Sequence, residues 1–166
     1  MKMRTVIGVV VVTVSLTTGT GLTDEKPKQQ PASAKDPSVS ITLHQELDFE
    51  APPQRLYEVL LDSKQFAALS GAPAEINSED GSAFSLFGGR IVGRNVELVK
   101  NQRIVQAWRP KSWPKGVYSI VKFELKPRGQ GTHLVFDHVG FPKGEHDHLA
   151  EGWENHYWKS LRKCSR

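Results

Sequence analysis

Between Val39 and Phe49 apolar and polar residues alternate. Val39, Ile41, Leu43, Leu47 and Phe49 share one face, and Ser40, Thr42, His44, Glu46 and Asp48 share the other; only Gln45 interrupts the apolar side. A period of two is the pattern of a half-buried strand. Ala51-Pro52-Pro53 ends it, and Pro53 suits the first turn of a helix, where its missing N–H has no partner to lose. Leu56, Tyr57, Leu60 and Leu61 then recur at helical spacing, and a second short helix is expected over Lys64–Ser70 with Gly71 as its stop.

A meander follows. Ser82–Phe87 and Ile91–Val99 flank Gly88-Gly89, two residues that tolerate positive φ and so suit a tight hairpin. Lys100–Gln102 turns into a strand over Arg103–Arg109, and Pro110–Gly116 forms a longer loop carrying Trp113. Val117, Val121, Phe123 and Leu125 alternate with Lys122, Glu124 and Lys126. Gly129-Gln130-Gly131 leads into Thr132–Val139, with Leu134 and Phe136 inward, and Pro142 and Gly144 end the sheet. Glu145–Lys163 reads as a helix whose Leu149, Trp153, Tyr157 and Leu161 form one stripe. Gly152 is expected where that helix presses closest to the sheet. Strands in series with helices segregated to one face define an α+β layer structure, here a curved antiparallel sheet around a long C-terminal helix.

The N-terminal residues have a different character. Lys2 and Arg4 precede the short apolar run Val6–Leu16, and small residues follow up to Gly21. This is the pattern of a secretory signal over residues 1–22, too short for a membrane span of about 20 apolar residues. The expected location is therefore periplasmic or secreted, with an uncleaved anchor as the alternative and no stable membrane insertion once the signal is removed. Residues 23–38 contain Pro27, Pro31 and Pro37 and no apolar period, which marks a disordered linker, and the folded domain is expected over 39–166. Export changes the charge: 22 basic against 18 acidic residues in the full chain becomes 20 against 18 without Lys2 and Arg4. A balance of +2 gives no reason to expect a nucleic-acid partner. Cys164 is the sole cysteine, so no intramolecular disulfide forms, and its thiol is read as incidental.

Chemistry-bearing residues collect on the inward faces. Alternation places Gln106 and Trp108, then Val121 and Phe123, then Phe136 and His138 toward the helix, which answers with Trp153, His156 and Tyr157. A mostly apolar set with a few polar groups is the composition of a small-molecule pocket, and equally of a filled aromatic core. His138 and His156 are suited to proton transfer, but no nucleophile, paired carboxylates or orienting group accompanies them, so no catalytic residue is assigned. His146-Asp147-His148 carries ligand-type side chains at a spacing that does not share one helical face, so no metal or cofactor is assigned. Glu97 is expected to pair with Arg94 or Arg109. Trp113, between two lysines on a loop, and Trp158, off the helix stripe, are candidate protein-binding residues.

Several of these motifs in this order resemble a known family. Phe84-Ser85-Leu86-Phe87-Gly88-Gly89, Gly93 with Glu97-Leu98-Val99, Ile104, Trp108-Arg109, Trp113-Pro114-x-Gly116 and Gly152-Trp153-x-x-x-Tyr157-Trp158 resemble the C-terminal domain of the activator of the heat-shock-protein-90 ATPase. The resemblance runs from about Ile41 to Leu161. It implies the helix-grip fold of the START-like, or SRPBCC, superfamily. It also implies a protein partner of chaperone type, while the inward aromatic and histidine set is what points to a hydrophobic small molecule in the hollow. The separate N-terminal domain of the eukaryotic co-chaperones has no counterpart in the short polar segment 23–38.

Overall fold

A computed structural model describes residues 42–164 of the chain. The expected signal (1–22), the linker (23–38) and the strand start at Val39–Ile41 lie outside the described residues, as does the side chain of Cys164. The remainder is a seven-stranded antiparallel sheet in the order β1-β7-β6-β5-β4-β3-β2, curved around a C-terminal helix.

β1 (Thr42–Phe49) buries Leu43 and Phe49 and exposes His44, Glu46 and Asp48. α1 (Pro53–Leu61) buries Leu56, Val59, Leu60 and Leu61. α2 (Ser63–Ser70) is capped by the Asp62 carboxylate, which accepts from the Gln65 N–H, and is closed by Gly71 at φ 69°. The two helices carry the chain across the sheet, so that β1 pairs with the last strand, β7 (Gly131–Val139). β2 (Glu75–Ile76) is two residues long, too short to leave a period in the sequence.

β3 (Ala83–Leu86) and β4 (Ile91–Val99) form the glycine hairpin, but the connection is four residues rather than two, because Leu86 pairs with Ile91. Phe87, Gly88 and Gly89 take φ of 54°, 65° and 86° in succession. β4 meets β5 (Arg103–Pro110) with a bulge between Asn95 and Glu97. The extra residue, Val96, is pushed out to 53% exposure. Glu97 pairs with Arg103, at 2.8 and 2.9 Å, and not with Arg94 or Arg109, because Arg103 is its neighbour across the β4–β5 turn. β6 (Ser119–Arg128) starts later than the alternation implies, leaving Val117 exposed in the preceding loop.

On the concave side the register builds rows: Asn95, Gln106, Val121, His138 and Leu43 in one, and Ile104, Phe123, Phe136 and Gln45 in the next. The convex side carries charge instead. His44 lies 2.6 Å from Asp137, whose other oxygen is 3.0 Å from Lys122, while Arg128 and His133 meet Asp48. The Asp137 carboxylate holds the His44 pKa above its ordinary value.

The C-terminal helix is not uniform. α3 (His146–Trp153) passes through a π-turn over Glu154–Trp158 into α4 (Lys159–Cys164). The Lys159 N–H reaches back five residues to the Glu154 carbonyl. A π-turn adds one residue to a turn, and here the addition brings both Tyr157 and Trp158 onto the buried side. Trp158 therefore belongs to the core, 0% exposed, although its position lies off a spacing-of-four stripe. Its indole N–H donates to Gln45 Oε1 at 2.7 Å, which explains the one polar residue on the inner face of β1. Replacing Gln45 with leucine leaves that N–H buried and unpaired, at an expected cost of about 1–2 kcal/mol. A thermal melt of the Gln45→Leu protein checks this, and a melting point at or above wild type would refute it.

Candidate functional site

The helix does not fill the whole hollow. Most of the inward aromatics are closed into a core around Trp153, whose ring lies 4.4 Å from Phe136, 5.8 Å from Phe123 and 5.5 Å from Trp158. Toward the hairpin end an open cleft of about 940 Å³ lies between sheet and helix. Its walls are the β3–β4 turn (Phe87–Arg90), the β5–β6 loop (Pro110–Trp113), the segment after α2, and the exposed flank of α3 and the π-turn. Trp108, Trp153 and Tyr157 form the apolar floor.

The nine candidate residues divide between core and cleft. Trp108, Trp153, His156 and Tyr157 line the cleft. Val121, Phe123, Phe136 and His138 do not, because they are closed inside the core. Gln106 is also withdrawn into the core, where its amide donates to Asn95 Oδ1 at 2.9 Å. For these five the expectation of a cavity-lining role is corrected.

Trp113 is buried as well, stacked edge-on against Trp108 at 6.0 Å. The loop folds down because the Trp113 carbonyl accepts from Arg109 at 3.1 Å, which pins it to β5. With Trp158 in the core, neither tryptophan offers the exposed ring expected of a protein-binding anchor; Trp113 is a wall of the cleft.

His138 is held between three elements. The Trp153 indole N–H donates to Nδ1 at 3.0 Å, so Nε2 carries the proton toward Ser119 Oγ at 2.7 Å, and the Ser119 hydroxyl donates to the Trp108 carbonyl at 3.0 Å. This chain fixes one neutral tautomer. Burial pulls the His138 pKa down to about 3, so it stays uncharged at neutral pH and away from the cleft.

Two polar groups are sealed beneath the floor. Among the described residues Trp108 Nε1 and the Tyr157 hydroxyl are both buried without a hydrogen-bond partner of good geometry. The two groups interact weakly, without good hydrogen-bond geometry; burial raises the Tyr157 pKa and the indole opposes that only in part. Buried polar atoms are seldom left this way.

The turn that faces them is held rigidly. Phe87 is a bulky residue at positive φ, a costly backbone state. Its ring is fixed edge-on against Phe66 at 5.4 Å, Tyr157 at 5.5 Å and His156 at 5.8 Å. The Gly88 N–H donates to the Pro73 carbonyl at 2.8 Å.

Gly152 corrects a further expectation. A Cβ built there meets nothing within 4 Å, so the glycine does not mark the closest approach of helix to sheet. It sits on the cleft wall between His148 and His156, one turn away on either side. Reading glycine as space for a ligand rather than for the sheet would have found this part of the site. Arg90, Lys111 and His148, which also line the cleft, stand in no apolar period, so alternation did not place them there.

Comparison with known proteins places this architecture. The family described as Activator of Hsp90 ATPase homolog 1-like protein matches residues 50–166. The human activator of 90 kDa heat shock protein ATPase homolog 1 is 28% identical over 138 residues, covering 83% of this chain and 40% of its own length. An uncharacterised Schizosaccharomyces pombe protein is 35% identical over 114 residues, covering 69% of this chain and 34% of its own. The chain thus spans well under half the length of these curated relatives. Among solved structures, an HSP90 activator from Plasmodium falciparum has a TM-score of 0.71 at 25% identity, covering 75% of this chain and 96% of that one. A Chromobacterium violaceum protein has a TM-score of 0.62 at 25% identity with the same coverage.

Proposed function

The chain belongs to the Activator of Hsp90 ATPase homolog 1-like family, and from that premise we propose that it is a non-catalytic binding module that holds an apolar or amphipathic small molecule in the cleft. One observation carries this reading: the domain's aromatic packing is dense elsewhere, yet it leaves about 940 Å³ open over Trp108, Trp153 and Tyr157. A volume of that size is typical of small-molecule sites. A reaction driven by histidine would have to use His148 or His156 on the cleft wall, because His138 is enclosed and neutral. Native mass spectrometry after mild purification, with a thermal-shift screen of lipids and metabolites, tests the proposal. The expected result is a co-purifying mass or a stabilising ligand. No added mass and no shift across a broad library would reject it.

A second reading has its own support in the relatives, two of which are described as activators of the 90-kDa heat-shock protein or its ATPase. On that reading the domain acts on a protein partner of the same type. Adding the full chain to such an ATPase should raise its turnover saturably, and an unchanged rate over a wide concentration range removes the reading. We propose, on Lys2, Arg4 and the apolar run Val6–Leu16, that the protein is exported. N-terminal sequencing of the mature protein decides this: a start near residue 23 supports export with cleavage, and a start at residue 1 or 2 opposes it.

A further inference from the structure

The sheet-side wall of the cleft is cationic and uncompensated. Arg90 leaves the β3–β4 turn and Lys111 opens the β5–β6 loop. The Lys111 N–H donates to the Arg90 carbonyl at 2.7 Å, so the two residues are fixed as neighbours. Lys111 Nζ lies over the hairpin tip, 4.0 Å from where a Cβ on Gly89 would stand. Among the described residues neither side chain makes an ion pair, although the convex face pairs most of its cations. Among the described residues the one carboxylate lining the cleft, Glu145, belongs to the opposite, helical wall and bridges to neither. Two adjacent like charges repel, and an anion between them relieves that repulsion and gains charge-assisted hydrogen bonds.

Below this pair is the apolar floor of Trp108, Trp153 and Tyr157. We propose that the cleft takes an amphipathic carboxylate, its apolar body over Trp108, Trp153 and Tyr157 and its carboxylate on Arg90 and Lys111. The inference rests on the binding-module reading and adds the sign and position of the charge.

Dodecanoate and 1-dodecanol, below micellar concentration and at low ionic strength, are the probes. They share a chain and differ in the anionic head. The full-length protein is titrated with each, followed by calorimetry and by the fluorescence of the tryptophans that line the cleft. Dodecanoate is expected to bind about 10-fold or more tighter than the alcohol. The double substitution Arg90→Ala/Lys111→Ala should bring the two affinities together without weakening the alcohol. Gly152→Leu, whose side chain enters open space, should weaken both probes several-fold while the melting temperature holds or rises.

Equal affinity for acid and alcohol in the wild type would overturn the anionic assignment and leave the cleft reading intact. So would a preference that survives the double substitution. If neither probe binds, or if Gly152→Leu binds both as wild type does, the proposed cleft occupancy by this ligand class falls as well.

Discussion

Replacing Gly93 with alanine is expected to destabilise the domain by about 3 kcal/mol or more, at the upper end of overpacking costs. Gly93 pairs with Trp108 across β4 and β5, and with Phe84 across β3 and β4. A Cβ at this position would stand 2.2 Å from the Ala107 carbonyl oxygen and 2.3 Å from the Phe84 ring. The ring can yield only by leaving the core, and the carbonyl only by moving a strand in the middle of the sheet. A change of this size lowers the melting temperature of a domain this long by about 10 °C or more. Shrinking the ring as well, in Phe84→Leu/Gly93→Ala, removes one clash and keeps the other. It should recover part of the loss and no more. Differential scanning calorimetry of both proteins checks this, and a loss of less than about 1 kcal/mol for Gly93→Ala, the lower end of overpacking costs, would show that the strands give way easily.

The second large effect is a loss of stability in acid, traced to His138. The unfolded chain takes up a proton on this residue near pH 6.5, the folded chain only at about 3. A histidine with a depressed folded pKa contributes its full stability above the unfolded value and loses it as pH falls toward the folded one. The affected window is therefore about pH 6.5 to 3, with a slope approaching 1.4 kcal/mol per unit. Between pH 7 and pH 5 the expected loss is about 2 kcal/mol. Protonation also sets a second ring N–H against the Trp153 donor, breaking the bond that ties helix to sheet. His44, whose pKa is raised by Asp137, acts in the opposite sense, but it is exposed and weakly coupled to folding. Urea midpoints at pH 7 and pH 5 test the assignment. His138→Gln retains an acceptor for Trp153 and a donor for Ser119 but does not titrate, so its midpoint should change much less. Parallel losses in the two proteins would place the acid sensitivity elsewhere.

The strands and helices were readable from the sequence because each buries one face, and that requirement leaves a period. Val121, Phe123 and Leu125 on β6 and Leu149, Trp153, Tyr157 and Leu161 on the helix are all buried as alternation and fourfold spacing imply. What could not be read is what periodicity does not encode. A π-turn shifts the helical phase by one residue without a marker in composition, so Trp158 looked external. Inward alternation does not separate a side chain closed in the core from one that faces a void. Phe136 on β7 and Trp108 on β5 are equally inward, and only the packing of the folded domain puts Trp108 at the cleft. The loop tryptophan failed for a related reason: lysines on either side describe its neighbours in the chain, whereas its burial depends on Arg109 and Trp108 in the adjacent strand.

A sheet that opens at both margins must also keep foreign strands away. Here the outermost members are β1 and β2. β2 offers two residues, too few to template an added strand, and β1 presents His44, Glu46 and Asp48 on its solvent side. Short margins and charged ones are the usual guards against edge-to-edge aggregation. The ion pairs of the convex face thus have a colloidal consequence: they allow an unclosed β-layer to remain dispersed when many copies share the same compartment.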